Sequence, residues 1–363
     1  MTTKLRPLSL AGSIAVLLVT LWAALLRIGW DWPTFTPQLA GMHGPLMVSS
    51  FFGALIALER AVALGKLWAY ISPVLAVLAG FMMMAVPAWI VPAAWLLVLS
   101  SIFYLAVGAA VVQRQPAIFT WLLEAGVVAL LVGNLIWAMG YPVFYAVWWW
   151  NVFLVVTIAA ERLELGRMQR LPKWAFPSFY AVSALVIIGL LWVMVQHDLG
   201  IRILGAGLLA YAIWLGNFDI TRRTVKLPGL PRFIAVCLLS GYVWLALGGA
   251  FMMYYGFLPA GPIYDALLHT VFVGFVFAMI FGHAPIIFPA VLGLPIRYTP
   301  KMYGPLVLLT ISLILRIVGD LAGMRDVRLW GGLLNATAIL IFVIQTAWIT
   351  VQVKREQLAA QRS

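Results

Sequence analysis

Three of the four histidines in this chain stand where an imidazole could bind a metal. His43 precedes Gly44-Pro45 at the head of one apolar run, and His269 lies near the head of another. Each follows a proline by ten residues, Pro33 and Pro259 respectively. Two imidazoles at like depth on two helices suit axial ligation of one haem b, since imidazole is a common iron ligand. The competing reading is a pair of helix-start histidines bonded to nearby backbone. His283 comes 14 residues after His269, which on an ideal helix is ~21 Å further along and only ~40° around. Both are therefore expected on one stripe. His283 falls level with Glu59 and Glu161, a donor set for a second metal, copper or iron, with Glu124 on a proton route from the same side. Alternatively, Glu59-Arg60 and Glu161-Arg162 snorkel and pair at helix ends. Arg316 and Asp320, four apart, can pair on one helix face. Otherwise Arg316 and Arg325 are cations for haem propionates. His197, beside Asp198, reads as a loop residue.

The elements that must hold these groups are set by composition. Of 363 residues, 64% are hydrophobic and 9% charged, more apolar surface than a soluble fold could hide. A bilayer core of ~30 Å takes ~20 such residues per helix. Twelve spans are expected, near 8–28, 44–64, 68–88, 90–112, 117–139, 144–161, 176–196, 200–217, 233–255, 264–288, 302–321 and 329–353. The fold class is an all-α polytopic membrane protein, with residues 1–363 as a single membrane domain in contact with lipid. The first span reads as an uncleaved helix. A net charge of +12 would also suit a nucleic-acid partner. However, 18 of the 23 Lys and Arg fall at one set of span ends. That bias is the positive-inside rule, places both termini in the cytoplasm, and removes the case for nucleic acid. A single cysteine, Cys237, excludes a disulfide framework. No dinucleotide fingerprint, phosphate loop or c-type haem attachment motif occurs. The methionine runs, Met82-Met83-Met84 and Met252-Met253, read as packing rather than copper ligands. Trp148-Trp149-Trp150, with Trp30 and Trp32, reads as an interfacial aromatic belt.

The spans also repeat. Trp32-Pro33, Tyr141-Pro142 and Leu258-Pro259 follow the first, fifth and ninth. Ile56-Ala57-Leu58-Glu59-Arg60, Ile158-Ala159-Ala160-Glu161-Arg162 and Ile280-Phe281-Gly282-His283-Ala284 close the second, sixth and tenth. Lys66-Leu67-Trp68, Lys173-Trp174-Ala175 and Lys301-Met302-Tyr303 open the third, seventh and eleventh. Three four-helix repeats follow, about 8–112, 117–217 and 233–353, in pseudo-threefold arrangement. Four helices per repeat make the repeats parallel.

Twelve helices as three units, with histidines on the second and tenth, resemble the core subunit of haem-copper oxidases. There the second and tenth helices ligate the low-spin haem, which maps onto His43 and His269. The copper ligands of the sixth and seventh helices have no histidine counterpart here, which argues against an oxygen-reducing centre. His43-Gly44, Leu268-His269 and Gly282-His283 are similar to the pattern of the NnrS-like family, twelve-helix bacterial membrane proteins containing haem and copper. This resemblance implies a bacterial inner-membrane location and nitric oxide handling or respiratory redox. It also implies an electron-transfer partner or respiratory subunit. If the protein is an enzyme, it is then a membrane oxidoreductase. A cofactor-free transporter or channel, and an assembly factor escorting haem or copper, are the alternatives.

Overall fold

Twelve helices long and apolar enough to cross a bilayer run through the computed structural model, which describes residues 2–34, 36–167, 169–293 and 296–360. They are α1 (Leu5–Ile28), α2 (Leu39–Leu64), α3 (Leu67–Ala85), α4 (Pro87–Arg114), α5 (Ile118–Ala138), α6 (Val143–Gly166), α7 (Ala175–Val193), α8 (His197–Phe218), α9 (Leu230–Tyr255), α10 (Pro262–Pro289), α11 (Pro300–Leu321) and α12 (Arg325–Gln357). No strand occurs among the described residues. The chain is a multi-pass, all-α integral membrane protein. All twelve expected spans are present, with ends moved by a few residues. The eighth starts earlier than expected, so His197 is the first residue of α8 and not a loop residue. Asp198 in that first turn faces the positive end of the helix dipole, which favours the early start.

The helices form two compact units, one of residues 1–157 with 290–292, the other of residues 158–289 with 293–363. In the first, α1 packs on α2 and α3, α3 on α4, and α4 on α5. An amide knits this unit together. Asn134 of α5 accepts from Ser49 Oγ of α2 (2.6 Å) and Trp150 Nε1 of α6 (3.0 Å), and its Nδ2 donates to Ser101 Oγ of α4 (2.8 Å). With little water to compete, such bonds hold helices together in lipid. Trp148, Trp149 and Trp150 are all buried, so that part of the expected aromatic belt belongs to the core, while Trp30 and Trp32 are half-buried. Trp150 turns inward because its indole N–H finds Asn134.

In the second unit, α7 packs on α8, α8 on α9, α9 and α11 on α10, and α11 on α12. The α11–α12 crossing depends on two glycines. A Cβ on Gly319 would lie 2.5 Å from the Arg328 backbone nitrogen, and one on Gly331 2.5 Å from that of Arg316. Only the missing side chains let the backbones come this close.

Burial singles out every fourth helix. The apolar windows of α2, α6 and α10 are 67%, 78% and 72% buried, while no other span exceeds 56%. Two of these three also depart from α-geometry. α2 winds into π-helix over Leu46–Phe52, and α10 over Thr270–Phe277. The Gly53 N–H bonds to Val48 O, five residues back. Such wider turns are uncommon and collect at functional sites.

Candidate functional site

The chemistry-bearing side chains gather at both ends of α10. At its N-terminal end, His269 Nδ1 lies 2.8 Å from the carbonyl oxygen of Asp265, one turn back. A carbonyl only accepts, so Nδ1 carries the hydrogen. Nε2 faces Arg316 Nη2 of α11 at 3.2 Å and accepts from it. Arg316 is itself gripped by Asp265. Its Nε donates to Oδ2 (2.8 Å) and its Nη2 to Oδ1 (2.9 Å), the two-pronged geometry in which guanidinium–carboxylate pairs are strongest. The Asp265 carboxylate also comes within 3.3 Å of His269 Nδ1. Further out, Arg328 of α12 pairs with Asp320 at 2.8 Å. The close α11–α12 crossing holds this set in place, because Gly319 and Gly331 seat the backbones of Arg328 and Arg316.

The expected Arg316–Asp320 pair is therefore replaced by two pairs that each cross to a neighbouring helix. Residues four apart on a helix are neighbours. Here, however, packing offers each a straighter partner on another helix.

The C-terminal end of α10 repeats the arrangement. His283 Nδ1 lies 2.7 Å from the carbonyl of Met279, again one turn back, and Nε2 faces Arg162 Nη1 of α6 at 3.4 Å. Arg162 is gripped by Asp219, Nε to Oδ2 at 2.6 Å and Nη2 to Oδ1 at 3.1 Å. Asp219 follows α8 and also accepts from the backbone N–H of Thr221 (2.8 Å), opening a short helix, Thr221–Thr224. The two side chains are 4% and 1% exposed. Arg162 thus does not snorkel to an interface as expected; a carboxylate inside the protein satisfies it. His269 meets α11 and His283 meets α6, and the π-turns between them carry more residues per turn than the ideal helix behind the single-stripe expectation.

His43 follows the 3-10 turn Leu39–Met42 that opens α2, with Nδ1 3.4 Å from the carbonyl of Thr20 on α1. The π-turns begin three residues beyond it. Glu59 and Glu161 are half-buried, Glu161 beside the Arg162 grip. Arg325 is exposed at the start of α12. Glu124 on α5 presses Oε2 against Gly108 of α4, and this buried oxygen has no hydrogen-bond partner. Among the described residues, no group of three or more His, Cys, Asp or Glu is placed to hold a metal ion.

Sequence reasoning missed Asp265 and Asp219. Asp265 had a readable signal, because it precedes His269 by one helical turn and so shares its face. Asp219 lies on the far side of two helices from Arg162 in the chain, and nothing local marks it. Asn151 was also missed. Its side chain is fully buried on α6, with neither amide atom hydrogen-bonded.

The residues at the head of α10 suit haem ligation in one definite respect. An iron-bound imidazole usually donates its other N–H to a carbonyl or carboxylate, which fixes the tautomer and leaves Nε2 for the metal. His269 donates its Nδ1 hydrogen to the Asp265 carbonyl and His43 has its carbonyl in Thr20; the Nε2 of His269, however, already accepts from Arg316, which would have to swing aside for iron to reach it. No curated protein matches the chain. The chain belongs to the family described as a domain of unknown function (DUF8744), whose model matches residues 6–351.

Proposed function

We propose that this is a haem b-binding protein of the bacterial inner membrane, with both termini cytoplasmic, acting in respiratory redox or nitric oxide handling. His43 and His269 are its axial ligands. The observation that carries this reading is the parallel build of α2 and α10. Both are among the three most buried spans, both wind into π-helix within three residues of the histidine, and both direct Nδ1 at a main-chain carbonyl. The same parallel supports the threefold repeat, since α2, α6 and α10 are the second helices of its three units.

Bound haem would supply reversible one-electron chemistry. The chain's own residues do the rest. The Thr20 and Asp265 carbonyls fix the two ring tautomers. Arg316, held by Asp265, occupies His269 Nε2 in the haem-free protein and would have to give up that bond for iron to bind. Arg325, exposed near the same end of the protein, is the cation open to a propionate. The test is the visible absorption spectrum and the haem-to-protein ratio of purified protein. The reading requires a Soret band in the wild type and its loss in both His43→Ala and His269→Ala. A colourless wild type, after expression with ample haem, ends it.

A cofactor-free transporter is the second reading, favoured by the buried Arg162–Asp219–His283 set and by the unpartnered Glu124 oxygen within α5. Buried ionisable groups in membranes mark ion and proton paths. Proton-dependent flux into liposomes by haem-free protein would select it. An assembly factor would instead carry substoichiometric haem or copper and pass it to an acceptor protein.

A further inference from the structure

We infer that the corner of the second unit where the α6–α7 and α8–α9 loops meet is a binding site for a phospholipid carrying two phosphates. Arg222, Arg223 and Lys226 take one phosphate, and Arg170 and Lys173 take the other. The inference is independent of the haem reading and of which side of the membrane this end faces.

The two loops lie side by side. Gln169 Nε2 of the α6–α7 loop donates to the carbonyl of Phe218 at the end of α8 (3.2 Å), and the Trp174 ring meets the Phe218 ring edge-on, with centroids 5.0 Å apart. Trp214 of α8 donates to the Ala175 carbonyl at the start of α7 (2.9 Å). The α8–α9 loop is also fixed in shape. Asp219, gripped by Arg162, receives the Thr221 N–H. The Val225 and Leu227 N–H groups bond to the carbonyls of Thr221 and Thr224, and Arg232 Nε donates to the Val225 carbonyl (3.2 Å). Cations on a set backbone lose less freedom when a ligand arrives than cations on a loose one.

Charge on these loops is one-sided. Residues 167–174 and 219–232 hold seven Lys and Arg but a single acid, Asp219. That acid is buried against Arg162, so it does not offset the others. Arg170, Lys173, Arg222, Arg223, Lys226 and Arg232 are all exposed. A guanidinium forks a phosphate through two parallel bonds. Cations on two adjoining loops favour two phosphates on one molecule, because the second is then tethered close to its loop at high effective concentration.

The corner also has the apolar flank that a lipid requires. Trp174 and Leu227 are 60% and 48% exposed, and Ile213 of α8 is 57% exposed. An exposed tryptophan beside cations suits the headgroup level of a bilayer. Arg222 Nη1 donates to the Asn217 carbonyl, one turn beyond Ile213. A cation therefore stands next to an open apolar strip of α8, the order of phosphate and acyl chain in a phospholipid. Nucleic acid would use the cations and leave the apolar flank without a role. Charges that only set topology would need neither adjoining loops nor that flank.

The experiment is native mass spectrometry of delipidated protein in detergent, titrated with diphosphatidylglycerol (two phosphates), phosphatidylglycerol (one) or phosphatidylethanolamine (no net charge). Each Lys or Arg near an anionic lipid surface contributes roughly fivefold to binding. The wild type should retain one diphosphatidylglycerol, at least roughly tenfold more tightly than phosphatidylglycerol, and phosphatidylethanolamine more weakly than either. Arg222→Gln/Arg223→Gln/Lys226→Gln should weaken it at least roughly tenfold. Arg170→Gln/Lys173→Gln should bring its affinity down to that of phosphatidylglycerol. Lys354→Gln/Arg355→Gln, which removes two exposed cations at the end of α12, should leave it within about threefold of wild type. Equal affinity for the one- and two-phosphate lipids in the wild type overturns the inference, whatever the variants do. So does a loss in the α12 variant as large as in the loop variants. Displacement of the lipid by an equal concentration of a short oligonucleotide would make the corner a nucleic-acid surface and overturn it as well.

Discussion

Removing Asp219 should be among the most damaging single changes in this protein. Asp219→Ala deletes an ion pair with Nε–Oδ2 at 2.6 Å and Nη2–Oδ1 at 3.1 Å, whose side chains are 4% and 1% exposed. Interhelical hydrogen bonds in membranes average only ~0.6 kcal/mol, because the unfolded helices in lipid also find partners. An exposed ion pair contributes about as little. Neither figure applies here, since the variant strands a guanidinium inside the protein. Breaking a buried pair from one side costs about 3–5 kcal/mol. Asp219 also holds the Thr221 N–H, and leaving that donor unmet adds about 1–3 kcal/mol. The folded-to-unfolded ratio should therefore drop at least roughly 10²-fold, at 1.4 kcal/mol per factor of ten. The double change Arg162→Met/Asp219→Leu, which removes both charges and fills the volume, should recover most of the loss. The assay is reversible unfolding in mixed micelles with increasing sodium dodecyl sulfate, completed as a double-mutant cycle. A loss of less than about 1 kcal/mol in Asp219→Ala would refute the reasoning, placing this pair with the exposed ones.

Gly331→Ala puts a Cβ 2.5 Å from the Arg316 backbone and should destabilise by about 1–3 kcal/mol. Gly304→Ala in α11 meets nothing within 4 Å and should be neutral or stabilise by up to about 1 kcal/mol; equal effects in the same unfolding assay would deny that the α11–α12 crossing is close-packed. Asn134→Ala orphans the Ser49 hydroxyl and the Trp150 indole N–H and takes the donor from Ser101, whose own bond to the Leu97 carbonyl remains, and should cost about 1–3 kcal/mol, with a change in Trp fluorescence; a smaller loss than from Ser101→Ala would contradict its place at the centre of the network. Because native Cys237 is buried, single cysteines at Thr3 and Asp198 can report topology by impermeant maleimide labelling of intact cells. Only position 198 should label, and labelling at position 3 would invert the expected orientation.

The membrane architecture was readable because bilayer thickness sets a length that apolar runs must meet. All twelve spans are present for that reason, and errors concern only their ends, as at His197. Register within the spans was less readable. No sequence period announces that α10 leaves α-geometry after His269, so an ideal 100° step does not describe the path from it to His283. Pairing was read from the nearest neighbour in sequence, which joined Arg316 to Asp320. The actual partners come from helices that only packing brings together. Arg162 shows the same limit: beside Glu161 at a helix end it looks like a snorkelling residue, and only Asp219, from after α8, makes its burial affordable. The Trp148–Trp150 run has the composition of an interface and the location of a core. The histidine positions on α2 and α10 were legible from spacing alone. Their shared hydrogen-bonding pattern was not, since it depends on main-chain carbonyls that no residue type encodes.

Low-temperature electron paramagnetic resonance of the oxidised, haem-loaded protein tests the central claim most directly. Two imidazoles on one ferric iron give a low-spin rhombic signal, and replacing either His43 or His269 with alanine should abolish it, leaving high-spin iron or none. A low-spin signal that survives intact in either variant would contradict the assignment, and the parallel between α2 and α10 would then need another explanation.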